Sequence, residues 1–103
     1  MAYGESYTDQ VTRFQILRLM NNHTMTQEKL GHILSLTASM ANRKCRGRSP
    51  FKLAELGAIA LHFGCDVAAL VTQAAPLPGD KPRRMVMADG TPAGMYGDGR
   101  QPA

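Results

Sequence analysis

Along the first three quarters of the chain, apolar residues recur at spacings of three and four between short polar breaks, a pattern of short helices and not of strands. Thr8 or Asp9 can cap a first helix running to about Asn22. Its Val11, Phe14, Ile16, Leu17, Leu19 and Met20 form a stripe broad enough to meet more than one neighbour. Thr26 can cap a second helix with Leu30, Ile33 and Leu34 on its apolar side, and Ser35-Leu36 is short enough to be only a turn. Thr37 can cap a third helix, and Gly47 lets the chain turn after it. Ser49-Pro50 reads as the start of a fourth, because serine caps free amides and proline suits the first helical position. Leu53, Leu56, Ile59, Ala60 and Phe63 then form its stripe, with Gly64 as a left-handed stop. Asp66 can cap a short fifth helix that packs Val67, Leu70 and Val71 against the others.

The pattern fails from Pro76, where Pro, Gly and scattered charge take over. The expected organisation is a loose N-terminal arm over residues 1–7, a helical domain over 8–75 and a mobile Pro/Gly-rich tail over 76–103. Met85-Val-Met-Ala before Asp89-Gly90, with Met95-Tyr96 after it, could be drawn as a small hairpin, but Pro92 and Gly94 oppose it. A domain this small buries only about 60% of its unfolded surface, so its stability margin is narrow.

Charge changes the picture more than composition does. The net charge is only +4, yet no acid stands between Lys29 and Ala54, and that segment holds Lys29, Arg43, Lys44, Arg46, Arg48 and Lys52, six of the twelve cations. A single-sign field of this kind attracts a polyanion. Early in the third helix Ala38, Ser39 and Met40 are small or unbranched enough to enter a groove, and Asn42 and Arg43 follow about one turn later. Two short helices around a tight turn, the second ending in clustered cations, are the pattern of a DNA-reading helix-turn-helix.

Other chemistries find little support. No apolar run of about 18 residues offers a membrane span, and the chain starts polar, without the basic-then-apolar order of a signal peptide, so a cytoplasmic protein is expected. Cys45 and Cys65 have no partner at metal-site spacing and are expected to be reduced thiols, with Cys45 an inert small side chain and not a redox sensor. His23, His32 and His62 lack an accompanying nucleophile or carboxylate motif, so no catalysis is expected, and neither is a cofactor, metal or small-molecule ligand. Met20 and Met25 are expected to fill the core.

Thr26-Gln27-Glu28-x-Leu30, the turn flanked by Leu34 and Leu36, Arg46-Gly47-x-Ser49-Pro50, and Leu53-x-x-Leu56-x-x-Ile59-Ala60-x-x-Phe63-Gly64-Cys65-Asp66-Val67-x-x-Leu70 together resemble the lambda-repressor-like, or Cro/C1-type, helix-turn-helix family. The resemblance covers about Ile16 to Leu70 and implies an all-α fold, a compact five-helix domain. By similarity, Ala38, Ser39 and Asn42 face base edges; Met40 could meet a thymine methyl, and Arg43 a guanine O6/N7 pair. Phosphate contacts are expected from Thr26, Gln27, Lys44, Arg46, Arg48 and Lys52. Four positions depart from the family pattern: Gly31 replaces alanine, Ser35 the turn glycine, Ala41 a larger branched residue and Lys44 a large apolar one. Lys44 is therefore expected to serve DNA and not the core.

The implied function is transcriptional repression at double-stranded operator DNA, most similar to the short immunity repressors of temperate actinobacterial phages. A Cro-like regulator or activator, or an antitoxin or adaptor module with secondary DNA binding, is the alternative. A homodimer joined through Leu70, Val71 or the tail and a monomer on an asymmetric site both stay open.

Overall fold

The computed structural model describes residues 4–81, and within them the chain forms five α-helices and no strand. They are α1 (Tyr7–Asn22), α2 (Gln27–Leu34), α3 (Ala38–Cys45), α4 (Leu53–Phe63) and α5 (Val67–Val71). The all-α expectation holds, and the Met85–Tyr96 hairpin question lies outside the described residues. No helix among those residues is long and apolar enough to cross a membrane.

Local hydrogen bonds explain most of the boundaries. Thr26 and Thr37 cap α2 and α3 as expected, their hydroxyls accepting from the Lys29 and Met40 amides at 3.1 Å each. Ser6, and not Thr8 or Asp9, caps α1 by accepting from the Asp9 amide, which leaves Asp9 near the positive end of the helix. The start of α4 also differs from expectation: Ser49-Pro50 stays in the loop, and the helix begins at Leu53. Glu55 sets that start by accepting the Lys52 amide at 2.8 Å.

Four helices, α1 to α4, end in the same backbone wrap, an amide beyond the end reaching back five residues around one left-handed residue. Gly47 supplies that residue after α3, but Thr24 (φ 54°) supplies it after α1 and Ser35 (φ 59°) after α2. Gly64 (φ 77°) closes α4 as expected. Thus α2 is bracketed by two left-handed residues that carry a side chain, a strained conformation for either.

Ile16, Leu19, Leu30, Ile59 and Leu70 are fully enclosed at the centre, with Met20, Ala41, Cys45, Leu56 and Ala60 around them. Leu70 is therefore core and cannot join two subunits. Phe14, Leu53 and Val71, expected on buried stripes, are exposed. Between α2 and α3 the approach is closer than alanine would permit, since a Cβ on Gly31 would lie 2.8 Å from the Leu36 carbonyl oxygen.

Pro76–Lys81, expected to open the tail, instead close the domain. Leu77 is only 5% exposed and joins the core cluster. Pro78-Gly79 forms a tight turn, with Gly79 at φ 81° and the Asp80 amide bonded to the Leu77 carbonyl at 3.2 Å. Polar residues at helical spacing on α1 hold this strap. Gln15 Nε2 and Arg18 Nη2 donate to the Ala75 carbonyl at 3.1 and 2.6 Å. Asn22 Nδ2 donates to Asp80 at 2.7 Å, and Arg18 pairs with the same carboxylate. His23 bonds the Pro78 carbonyl at 3.1 Å and packs against Phe63.

The arm is likewise tied down where it is described. Glu5 accepts two bonds from Arg13, at 2.7 and 2.9 Å, directly beside Gly47 at the exit of α3.

Candidate nucleic-acid interface

The sequence of α3 divides the helix into two faces. Ala41, Lys44 and Cys45 point into the domain, while Ala38, Ser39, Met40, Arg43 and Arg46 are exposed and Asn42 is half-buried. Ser39, Asn42 with Arg43, and Arg46 recur at helical spacing and so share one outward stripe. Small Ala41 on the inner face lets α3 sit close to the core without a large anchor.

Lys44 corrects the expectation that it would contact phosphate. Its side chain is 6% exposed, and its ammonium donates to the Pro50 carbonyl at 2.7 Å and pairs with Glu55 Oε1 at 3.1 Å. The bonds that neutralise this ammonium in the interior also fasten the end of α3 to the loop and first turn of α4. Glu55, which carries both Lys44 and the Lys52 amide, was missed in the sequence. Its position three residues after Lys52 was the available signal.

Asn42 has a different setting from the free base-reading side chain expected. Its Nδ2 donates to Gln27 Oε1 at 2.8 Å, bracing the middle of α3 against the first residue of α2. The bond leaves the Gln27 amide group and Asn42 Oδ1 available to a ligand. Thr26 is exposed, with its hydroxyl oxygen engaged in capping and its proton free to donate.

Arg43, Arg46, Arg48 and Lys52 are all exposed, as is Lys29, and none forms an ion pair among the described residues. The loop after α3 therefore continues the positive edge begun on the helix. Cys45 is a buried thiol, and desolvation, which disfavours the thiolate, pushes it above its ordinary value despite nearby Arg13. Among the described residues no group of three or more His, Cys, Asp or Glu could hold a metal ion.

Fold and site together define a small helix-turn-helix domain of the DNA-binding type, with an outward face on α3 and a basic edge. The chain belongs to the BetR domain family, whose match runs over residues 5–96. That match takes in the strap and continues past the described residues. No curated protein and no solved structure matches the chain.

Proposed function

We propose that this protein is a sequence-specific double-stranded DNA-binding transcriptional repressor, acting in the bacterial cytoplasm as an immunity repressor of the temperate-phage type that silences lytic promoters. The observation that carries the DNA reading is the outward stripe of α3, merging into exposed cations that no carboxylate neutralises among the described residues. Ala38, Ser39, Met40 and Arg43 would meet base edges, with Asn42 contributing its free carbonyl oxygen. Thr26, Gln27, Arg46, Arg48 and Lys52 would hold phosphates on either side. The activity is binding, with no catalytic step, cofactor or metal. Support for the phage-immunity reading is the resemblance of the helix-turn-helix segments to such repressors.

DNase footprinting on DNA flanking its own gene, paired with a promoter reporter, tests this reading. A protected site overlapping a promoter and a fall in reporter signal are expected. With about four phosphates neutralised, log affinity should fall against log salt with a slope of roughly −3.6. Salt-insensitive binding would overturn the DNA reading, sequence-indifferent binding would overturn its specificity, and a rising reporter would overturn repression alone.

A further inference from the structure

Along α1 runs a groove that the described residues leave open. Tyr7, Val11 and Phe14 recur at helical spacing on one edge, and Gln73-Ala74, just after α5, form the other, around a volume of about 450 Å³. That is the size of sites that accept a ligand or a few side chains, about 300–1,000 Å³. Tyr7 and Phe14 are 65% and 53% exposed, so their rings are not consumed by the core. The Tyr7 hydroxyl donates to Gln73 Oε1 and joins the two edges near the start of the helix. At the other end lies Arg18, which with Ala74 also lines an adjoining cleft bordered by Lys81. The chain therefore passes out of the described residues beside this groove, at its Arg18 end.

We propose that this groove is the docking site of the chain's own Met85-Val86-Met87 segment, laid back along α1 from Arg18 toward Tyr7. Sequence, reach and family extent all favour this occupant. Beyond Lys81 the first apolar run is Met85-Val86-Met87-Ala88, set off by Arg83-Arg84 before it and Asp89-Gly90 after it. Extended chain from Lys81 to Met87 spans about 20 Å, and α1 rises about 16 Å between Arg18 and Tyr7, so the segment reaches. The family match runs to residue 96, which puts the segment inside the domain and not after it. Extended backbone, toward which Pro82 biases Lys81, sets Met85 and Met87 on the same side. Their unbranched thioethers suit an irregular groove with aromatic walls, where sulfur meets the rings of Phe14 and Tyr7. Tethering decides between this segment and that of a second copy, because a link of a few residues holds it at millimolar effective concentration. Docking of the segment is independent of what α3 contacts.

Methyl NMR of the full chain with isotope-labelled methionine tests this, the Met85 and Met87 signals being assigned by Met85→Leu and Met87→Leu. Both signals should show cross-relaxation with ring protons of Phe14 or Tyr7 and should sit away from the positions they take in urea. Phe14→Ala should return them toward those positions while the signal of Met20, in the core, stays in place. Urea denaturation gives a second reading. Met85→Ser combined with Met87→Ser should raise the unfolding constant about tenfold in the wild-type chain, but by no more than about threefold in Phe14→Ala. Methyl signals at their urea positions, signals indifferent to Phe14→Ala, or equal stability losses in the two backgrounds would each overturn the proposal. So would ring contacts that arise between labelled and unlabelled chains in a mixture, since the segment would then be docking on a second copy.

Discussion

The ion-paired cations that brace the scaffold and the exposed cations of α2, α3 and the loop that follows are the same residue types in opposite circumstances. Arg13, Arg18 and Lys44 each meet a carboxylate, respectively Glu5, Asp80 and Glu55, and each pairing ties one segment of chain to another. Lys29, Arg43, Arg46, Arg48 and Lys52 stand exposed without such a partner among the described residues. The first group draws the arm, the strap and the loop before α4 onto the scaffold. The second leaves a field directed outward, where phosphate is the complementary partner. A basic stretch in sequence thus mixes two jobs, and Lys44 is the residue at which they separate.

The strongest test exploits that residue. Lys44→Met should cost about 3 kcal/mol of stability, because it removes one member of a buried pair and leaves the other charge uncompensated. Urea denaturation measures it. Adding Glu55→Gln, which keeps an acceptor for the Lys52 amide and discharges the site, should recover most of the loss. A Lys44→Met protein of unchanged stability but weakened DNA binding would erase the distinction between the two groups.

On the exposed side the effects should appear in binding and not in folding. Arg43→Ala is expected to cost about 1–3 kcal/mol of discrimination at one base pair. Arg48→Ala should weaken binding to all sequences alike and reduce the salt slope by about 0.9. Neither should move the urea midpoint by more than about 0.5 kcal/mol in equivalent stability. Titrations of operator and scrambled duplexes at several salt concentrations separate the two, and a sequence-neutral Arg43→Ala would remove it from the base-reading set.

What was legible in the sequence is what local bonding decides. Thr26, Thr37 and Gly64 act within a few residues of themselves, so residue type and spacing suffice. Lys44 was misread because its direction depends on Pro50 and Glu55, and an acid-free run does not reveal an acid just beyond it. Leu77 was lost in a Pro/Gly-rich composition, the environment of its segment being set by α1 some 56 to 62 residues earlier. Leu53 and Leu56 are both leucine, and the broad apolar stripe of α4 did not say which would face out.

Ser35 offers a smaller test, at the turn that joins the two helices of the motif. It holds the left-handed position that Gly64 holds after α4, with a side chain that disfavours it. Ser35→Gly should therefore raise stability by up to about 1 kcal/mol, and the wrap around it, with Leu36 bonded back to Gly31 at 2.7 Å, should persist. Thermal denaturation reads the gain. Destabilisation would show that the serine makes a contribution beyond backbone conformation.

The smallest effect concerns the strap, where the ion pair is exposed and its energetic weight slight. Asp80 titrates below its ordinary value of 3.8, chiefly because it accepts the Leu77 amide, then because Asn22 and Arg18 also favour the carboxylate. A carboxylate with a lowered folded value adds stability that is complete above the unfolded value and fades as pH falls through the folded one. The strap should therefore loosen only below about pH 3.8, while remaining closed at neutral pH. A global melt in acid would not isolate the effect of this one carboxylate. The Leu77 amide can, since it donates to Asp80 Oδ2 at 2.9 Å. Its NMR shift should follow the titration of Asp80, and Asp80→Asn should abolish that step while leaving the Met40 amide, capped by Thr37, unaffected. A Leu77 amide indifferent to pH in the wild-type chain would mean that the Asp80 carboxylate does not hold the strap, which would then rest on Leu77 packing and on the bonds of Gln15, Arg18 and His23 to its carbonyls.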